Sequence, residues 1–149
     1  VTTETRKYPK GRFNYERRPH LVVNKEEVRV AIETDNVVLI NSLSPADFNG
    51  ETNTYPRKGH IPTSENVFFG SHSDPATRLL FDDETLRATF EKIGALDSSK
   101  KVITYCGGGI AATWNALLLN KLGQENVAIY DGSMNEWAAD ETCPLVTKK

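Results

Sequence analysis

The chain has 149 residues, 38% of them hydrophobic, 26% charged and 9% aromatic, with a formal net charge of -2. That length buries one core without staples, and two cysteines and three histidines exclude both a disulfide-rich scaffold and a Cys/His zinc cluster. No apolar run approaches the roughly 20 residues that cross a bilayer, nothing resembles a signal-peptide segment, and the apolar content is too high for a disordered chain. A soluble cytoplasmic domain is expected, with no pull towards nucleic acid or membrane. Because the first residue is Val1, the chain is expected to be a piece of a longer one.

Charge is uneven. Within residues 1–20, Arg6, Lys7, Lys10, Arg12, Arg17 and Arg18 stand against Glu4 and Glu16, so this segment is basic and the remainder acidic. It lacks a periodic face and is interrupted by Pro9, Gly11 and Pro19, which favours a solvated lead-in or linker over a nucleic-acid arm. The folded domain is expected over residues 21–149.

From there, apolar runs alternate with helical patterns. Leu21-Val22-Val23 reads as a short strand, and Asn24 with Glu27 three residues on reads as a capping box opening a helix to about Glu33. Val37-Val38-Leu39-Ile40 is a continuous apolar run, as in a strand covered on both faces. Ser44-Pro45-Ala46-Asp47 opens a short helix closed by Asn49-Gly50. A polar loop fills residues 49–64, and Val67-Phe68-Phe69 reads as another strand. Asp82 caps a helix with the stripe Leu86, Phe90 and Ile93, stopped at Gly94. Val102-Ile103-Thr104-Tyr105 is a buried strand that delivers Cys106. The next helix starts near Ile110, carries Ile110, Trp114, Leu117, Leu118 and Leu122, and ends at Lys121-Leu122-Gly123. Val127-Ala128-Ile129-Tyr130 is the last strand, and Ser133 reads as the cap of a short helix reaching Trp137. This alternation predicts an α/β domain: a doubly wound parallel sheet of about five strands with helices on both faces. In such sheets the working site lies at the carboxyl ends of the strands, where Cys106 sits.

The strand–Cys106–Gly107-Gly108-Gly109–helix element carries the chemistry. Only a thiolate attacks, and a thiol before a helix faces unpaired N–H groups and the positive end of the helix dipole. Three glycines let the backbone curl round the sulfur as an anion nest without any cationic side chain. Three other readings compete. Cys106 taken alone is a small buried hydrophobe. A phosphate cradle lacks both glycine-rich nucleotide signatures. A cysteine phosphatase needs an Arg about six residues on, where Ala112 stands.

These residues also carry a resemblance. Tyr105 to Ala111 resembles the active-site loop of the rhodanese (sulfurtransferase) family, and two more stretches agree. Asn41 to Gly50 followed by Gly59-His60-Ile61-Pro62 is similar to that family's amino-terminal signature, and Tyr130 to Trp137 to its carboxyl-terminal one. The lead-in resembles that of the catalytic carboxyl-terminal half of tandem two-domain sulfurtransferases, so an amino-terminal rhodanese-like domain is an implied partner.

The resemblance implies a rhodanese-like fold with no cofactor and no metal. It implies a ping-pong reaction in which Cys106 takes sulfur from thiosulfate or 3-mercaptopyruvate as a persulfide and passes it to cyanide or a thiol. Backbone amides of Gly107, Gly108, Gly109, Ile110, Ala111 and Ala112 would hold the sulfur. The chain departs from the family pattern at Asn41, Ser42 and Leu43, where Asp, a small residue and Arg are usual, and at Asp47, where tandem enzymes often place an Arg. The loop holds no basic residue, and Gly108 and Ala111 replace the Ser or Thr of the mercaptopyruvate type. A catalytically weak binding or sensing module is the alternative.

Around this centre, His60 reads as structural, Asp131 and Glu136 as structural rather than paired catalytic carboxylates because Gly132 and Ser133 between them read as turn and cap, and Trp114 and Trp137 as core anchors. Arg57 and Lys58 are candidates to supply positive charge at the pocket mouth. Cys143 reads as a packing cysteine or, alternatively, a resolving thiol.

Overall fold

A computed structural model describes residues 3–5 and 7–147. Arg6 of the basic segment therefore lies outside the described residues. Those described between 3 and 20 are all exposed. Five strands follow: β1 (Val22–Val23), β2 (Val37–Asn41), β3 (Glu65–Asn66), β4 (Lys101–Tyr105) and β5 (Val127–Tyr130). They form one parallel sheet in the order β1-β5-β4-β2-β3. Five helices join or follow them: α1 (Lys25–Ile32), α2 (Pro45–Asn49), α3 (Asp83–Glu91), α4 (Ile110–Lys121) and α5 (Ser133–Trp137).

Alternation along the strands divides the core in two. Leu39, Ile103, Tyr105, Ala128 and Tyr130 point to one face, where they pack with Val28 and Ala31 of α1 and Met134 and Trp137 of α5. Val38, Ile40, Val102 and Val127 point to the other, against Leu86 and Phe90 of α3 and Ala116, Leu118 and Leu119 of α4. Both faces are covered, as the continuous apolar strands require. Local signals set several boundaries. Asn24 and Glu27 form the reciprocal capping box, Ser44 and Asp82 accept from Asp47 N and Thr85 N, and Gly50 closes α2 at φ 80°.

Three elements differ from expectation. The third strand is Glu65–Asn66 rather than Val67–Phe69, and Phe69–His72 is a 3₁₀ turn. This strand pairs on one side only, so it is polar, while the apolar Val67 fills the core beyond it. Leu21 ends a 3₁₀ turn, leaving β1 two residues long. On α4 the stripe of Ile110, Trp114 and Leu117 faces out, at 85%, 37% and 58% exposure, so Trp114 is no core anchor. Leu118 and Leu122 of the expected stripe are buried, and the rest of the buried side is Ala112, Asn115, Ala116 and Leu119. This helix is apolar nearly all round, so periodicity alone does not choose its face; the small alanines let it approach the sheet.

Candidate active site

β4 lies in the sheet between β2 and β5, so its carboxyl end opens in the middle of the fold. The chain leaves it at Cys106, turns through Gly107-Gly108-Gly109 and enters α4, whose N-cap is Gly109 at φ 81°. The start of α4 is tied back to the strand by Thr104 Oγ1, which donates to Ala112 O at 3.0 Å. Deeper in the helix, buried Asn115 donates to Ser42 Oγ at 2.9 Å and to Val67 O at 2.8 Å. Its remaining oxygen therefore accepts from Nε2 of buried His72, at 2.7 Å. This network locks α4 to the carboxyl end of β2. Burial pushes the His72 pKa down, more than its bond to Asn115 raises it.

The loop itself is closed by Ser133. Its hydroxyl accepts from Cys106 N at 3.1 Å and Gly109 N at 3.2 Å and donates to Tyr130 O at 2.7 Å. Ser133 is therefore not the cap of α5. Gly132 occupies that position without a side-chain bond, and Ser133 follows it at φ 51° with its hydroxyl turned to the cysteine loop. The first amides of α5 take the loop's carbonyls: Met134 N donates to Cys106 O at 3.1 Å and Asn135 N to Gly107 O at 2.9 Å. Among the described residues, the amides of Gly107, Gly108, Ile110, Ala111 and Ala112 meet no acceptor in the protein. Ser133 thus fixes two loop amides and leaves the neighbouring ones available. The Cys106 side of the loop is recessed, with the residue 3% exposed, whereas Gly108 and Ile110 lie at the surface.

Of the surrounding candidates, His60 is built into the structure. Its Nδ1 lies 2.7 Å from Phe48 O, its ring stacks on Phe48 at 3.5 Å, and its backbone pairs with Val146. Trp137 is fully buried and donates to Pro144 O, and Glu136 accepts from Tyr130 Oη at 2.6 Å. Burial and the adjacent Glu136 hold the Tyr130 phenol far above its usual range.

Arg57 is not a free side chain at the mouth. Its guanidinium donates to the carbonyls of Trp137, Ala138, Asp140 and Cys143, stitching its loop to the segment after α5. Lys58 is exposed. Cys143 is 1% exposed, packed in the α1/α5 core with its sulfur 3.4 Å from Arg29 Nη2. Two residues carry no sequence signal of a role here: Ser133, whose loop partners are 24 and 27 positions away, and Tyr55, whose hydroxyl overhangs Gly107.

Residues 24–140 match the family described as Rhodanese-like domain. The chain belongs to this family, as the three sequence stretches and the five-stranded parallel fold imply. It is 38% identical over 138 residues to thiosulfate/3-mercaptopyruvate sulfurtransferase 2 of Arabidopsis thaliana, covering 90% of this chain and 40% of that protein. To the mitochondrial thiosulfate/3-mercaptopyruvate sulfurtransferase 1 of the same plant it is 34% identical, over 89% of this chain and 35% of the relative. The chain thus spans less than half the length of either. Among solved structures, EanB in complex with hercynine superposes with a TM-score of 0.80 at 22% identity, over 89% of this chain and 32% of that one, a likeness of fold.

Proposed function

We propose that the domain is a sulfurtransferase in which Cys106 carries the transferred sulfur as a persulfide. The observation that carries this reading is the set of acceptor-free amides at Gly107, Gly108, Ile110, Ala111 and Ala112, directly after a cysteine at the carboxyl end of a central strand. N–H groups left unpaired in a fixed turn before a helix make an anion site that needs no cation. Each such bond to an anionic sulfur is worth about 1.5–3 kcal/mol. Membership of the family and the names of the two plant relatives support the same chemistry.

In the proposed cycle the Cys106 thiolate attacks the terminal sulfur of the donor. A sulfur–sulfur bond forms, and the donor's bond to that sulfur breaks. The electron pair leaves with sulfite from thiosulfate, or with the enolate of pyruvate from 3-mercaptopyruvate. The loop amides hold the outer sulfur of the persulfide until cyanide or a thiolate attacks it and Cys106 departs as thiolate. The amides of Gly109 and Cys106 take no direct part, since Ser133 occupies both.

The test is intact-mass and peptide analysis of the 149-residue chain after each donor, with Cys106→Ser alongside. One added sulfur atom is expected on Cys106, lost again on adding cyanide, and absent in the variant. A folded chain whose Cys106 stays unmodified by both donors would overturn the reading and favour a binding module that retains the shape without turnover.

A further inference from the structure

The mouth of the cysteine loop holds two polar groups that folding does not use. Tyr55, in the connection between α2 and β3, packs its ring against the α1/α5 core. The buried hydroxyls of Tyr105 and Tyr130 bond to Ser64 and Glu136, whereas that of Tyr55 has no partner among the described residues. It overhangs Gly107: a Cβ added there would lie 2.5 Å from Tyr55 Oη. Beside it, the exposed Asn135 at the start of α5 holds Nδ2 over Gly108, 2.9 Å from where a Cβ would stand, and its amide side chain has no hydrogen-bond partner among the described residues. Neither Gly107 nor Gly108 has the positive φ that Gly109 has. The room they leave is occupied by these two donors.

The charges facing this mouth are acidic. Asp131 lies against Gly109. Asp47 is close enough to act on the Tyr55 phenol; burial raises its own pKa, but hydroxyls of Ser44, Thr52 and Thr54 outweigh that and hold it below the usual carboxylate range. The nearby Arg57 is committed to four carbonyls. A ligand oxygen arriving over the loop therefore meets main-chain amides and neutral side-chain donors, with these two carboxylates nearby.

We propose that Tyr55, with Asn135 beside it, is the substrate-binding group of this mouth, and that it selects a singly charged sulfur donor of the α-keto-thiol class over a dianion. The inference rests on the sulfur-transfer reading and names its substrate class. A neutral hydroxyl satisfies a ketone or carboxylate oxygen but contributes no net charge, so a second negative charge on the donor remains uncompensated beside Asp47 and the Cys106 sulfur. With 3-mercaptopyruvate, Cys106 thiolate takes the thiol sulfur and its proton. The carbon–sulfur bond breaks, and its electron pair passes into the enolate of pyruvate, which solvent protonates on carbon. Tyr55 Oη donates to the oxygen on which that negative charge develops.

The experiment compares wild type, Tyr55→Phe and Asn135→Ala in kcat/KM for 3-mercaptopyruvate and thiosulfate with cyanide as acceptor. The rate of Cys106 alkylation by iodoacetamide serves as a substrate-free readout. Wild type is expected to favour 3-mercaptopyruvate by roughly tenfold or more. Tyr55→Phe is expected to lose roughly tenfold with 3-mercaptopyruvate and under about threefold with thiosulfate, at an unchanged alkylation rate. Asn135→Ala shifts the same way, by less. Equal losses with both donors, no loss in Tyr55→Phe, or a wild-type preference for thiosulfate overturns the proposal. If wild type transfers sulfur while Tyr55→Phe is indistinguishable from it, only this inference falls. If wild type forms no persulfide with either donor, the sulfur-transfer reading falls and this one with it.

Discussion

Replacing Ser133 by Ala removes one oxygen and orphans three groups. Cys106 N and Gly109 N lose the acceptor they share, at 3.1 and 3.2 Å, and Tyr130 O loses a donor at 2.7 Å. Ser133 is fully buried, so water does not replace it. A buried unsatisfied amide costs about 1–3 kcal/mol. Gly109 adjoins the exposed Gly108 and can relax, which brings the expected loss to about 2–4 kcal/mol. In a domain of this size that lowers Tm by roughly 5–15 °C. Ser133→Gly separates the hydroxyl from the backbone. It loses the same bonds but relieves the left-handed φ of 51°, where a side chain costs about 1 kcal/mol. The glycine variant should therefore be the more stable of the two, by roughly half to one kcal/mol. Both should form the Cys106 persulfide roughly ten to a hundred times more slowly than wild type, because the loop amides are no longer held at one spacing. Urea unfolding and single-turnover mass analysis measure the two quantities. Ser133→Ala within about 0.5 kcal/mol of wild type and with an unchanged persulfide rate would refute the assignment of Ser133 as the closure of the loop.

Two further outcomes follow from the same geometry. Gly109→Ala places a Cβ at φ 81° against the Asp131 backbone, 3.2 Å from its carbonyl oxygen, and should cost about 2–4 kcal/mol and most of the activity, whereas Gly108→Ala meets only the movable tip of Asn135 and should cost under about 0.5 kcal/mol in unfolding. His72 stays neutral in the fold, because burial lowers its pKa, while the unfolded chain takes up that proton near pH 6.5. The unfolded state then binds more protons, so stability should fall as pH drops below about 6.5, at up to ~1.4 kcal/mol per pH unit, until the folded pKa is reached. Unfolding free energy against pH should show this slope in wild type and a shallower one in His72→Gln; parallel curves would count against it.

What the sequence makes legible tracks how far apart in the chain the interacting groups lie. The capping box at Asn24 and Glu27, the hydroxyl cap at Ser44 and the glycine stop at Gly50 are each complete within a few residues, and each reads correctly. The central strands are equally plain, because burial on both faces removes polar residues from them whatever their neighbours are. The edge strand does not obey that rule. Its open side makes Glu65–Asn66 polar, and the nearest apolar run, Val67 to Phe69, draws the expectation two residues along. The candidate site divides the same way. Its proposed nucleophile and amides form one continuous stretch, Cys106 to Ala112, which the glycine run and the family resemblance both single out in the sequence. The groups that shape it are remote: Ser133 reaches back 27 residues to Cys106, and Arg57 reaches forward 80 to 86 to its carbonyls. A serine after Asp-Gly and before an apolar turn has every local property of a helix cap, and only the three-dimensional position of the loop turns its hydroxyl to another task. Arg57 beside Lys58 has every property of a free cation, yet four carbonyls at the end of α5 and in the turn beyond it take four of its five N–H groups. With that guanidinium bonded to carbonyls, what the loop itself offers an anion is main-chain N–H groups and neutral side chains, the constraint on which the proposed choice of donor rests.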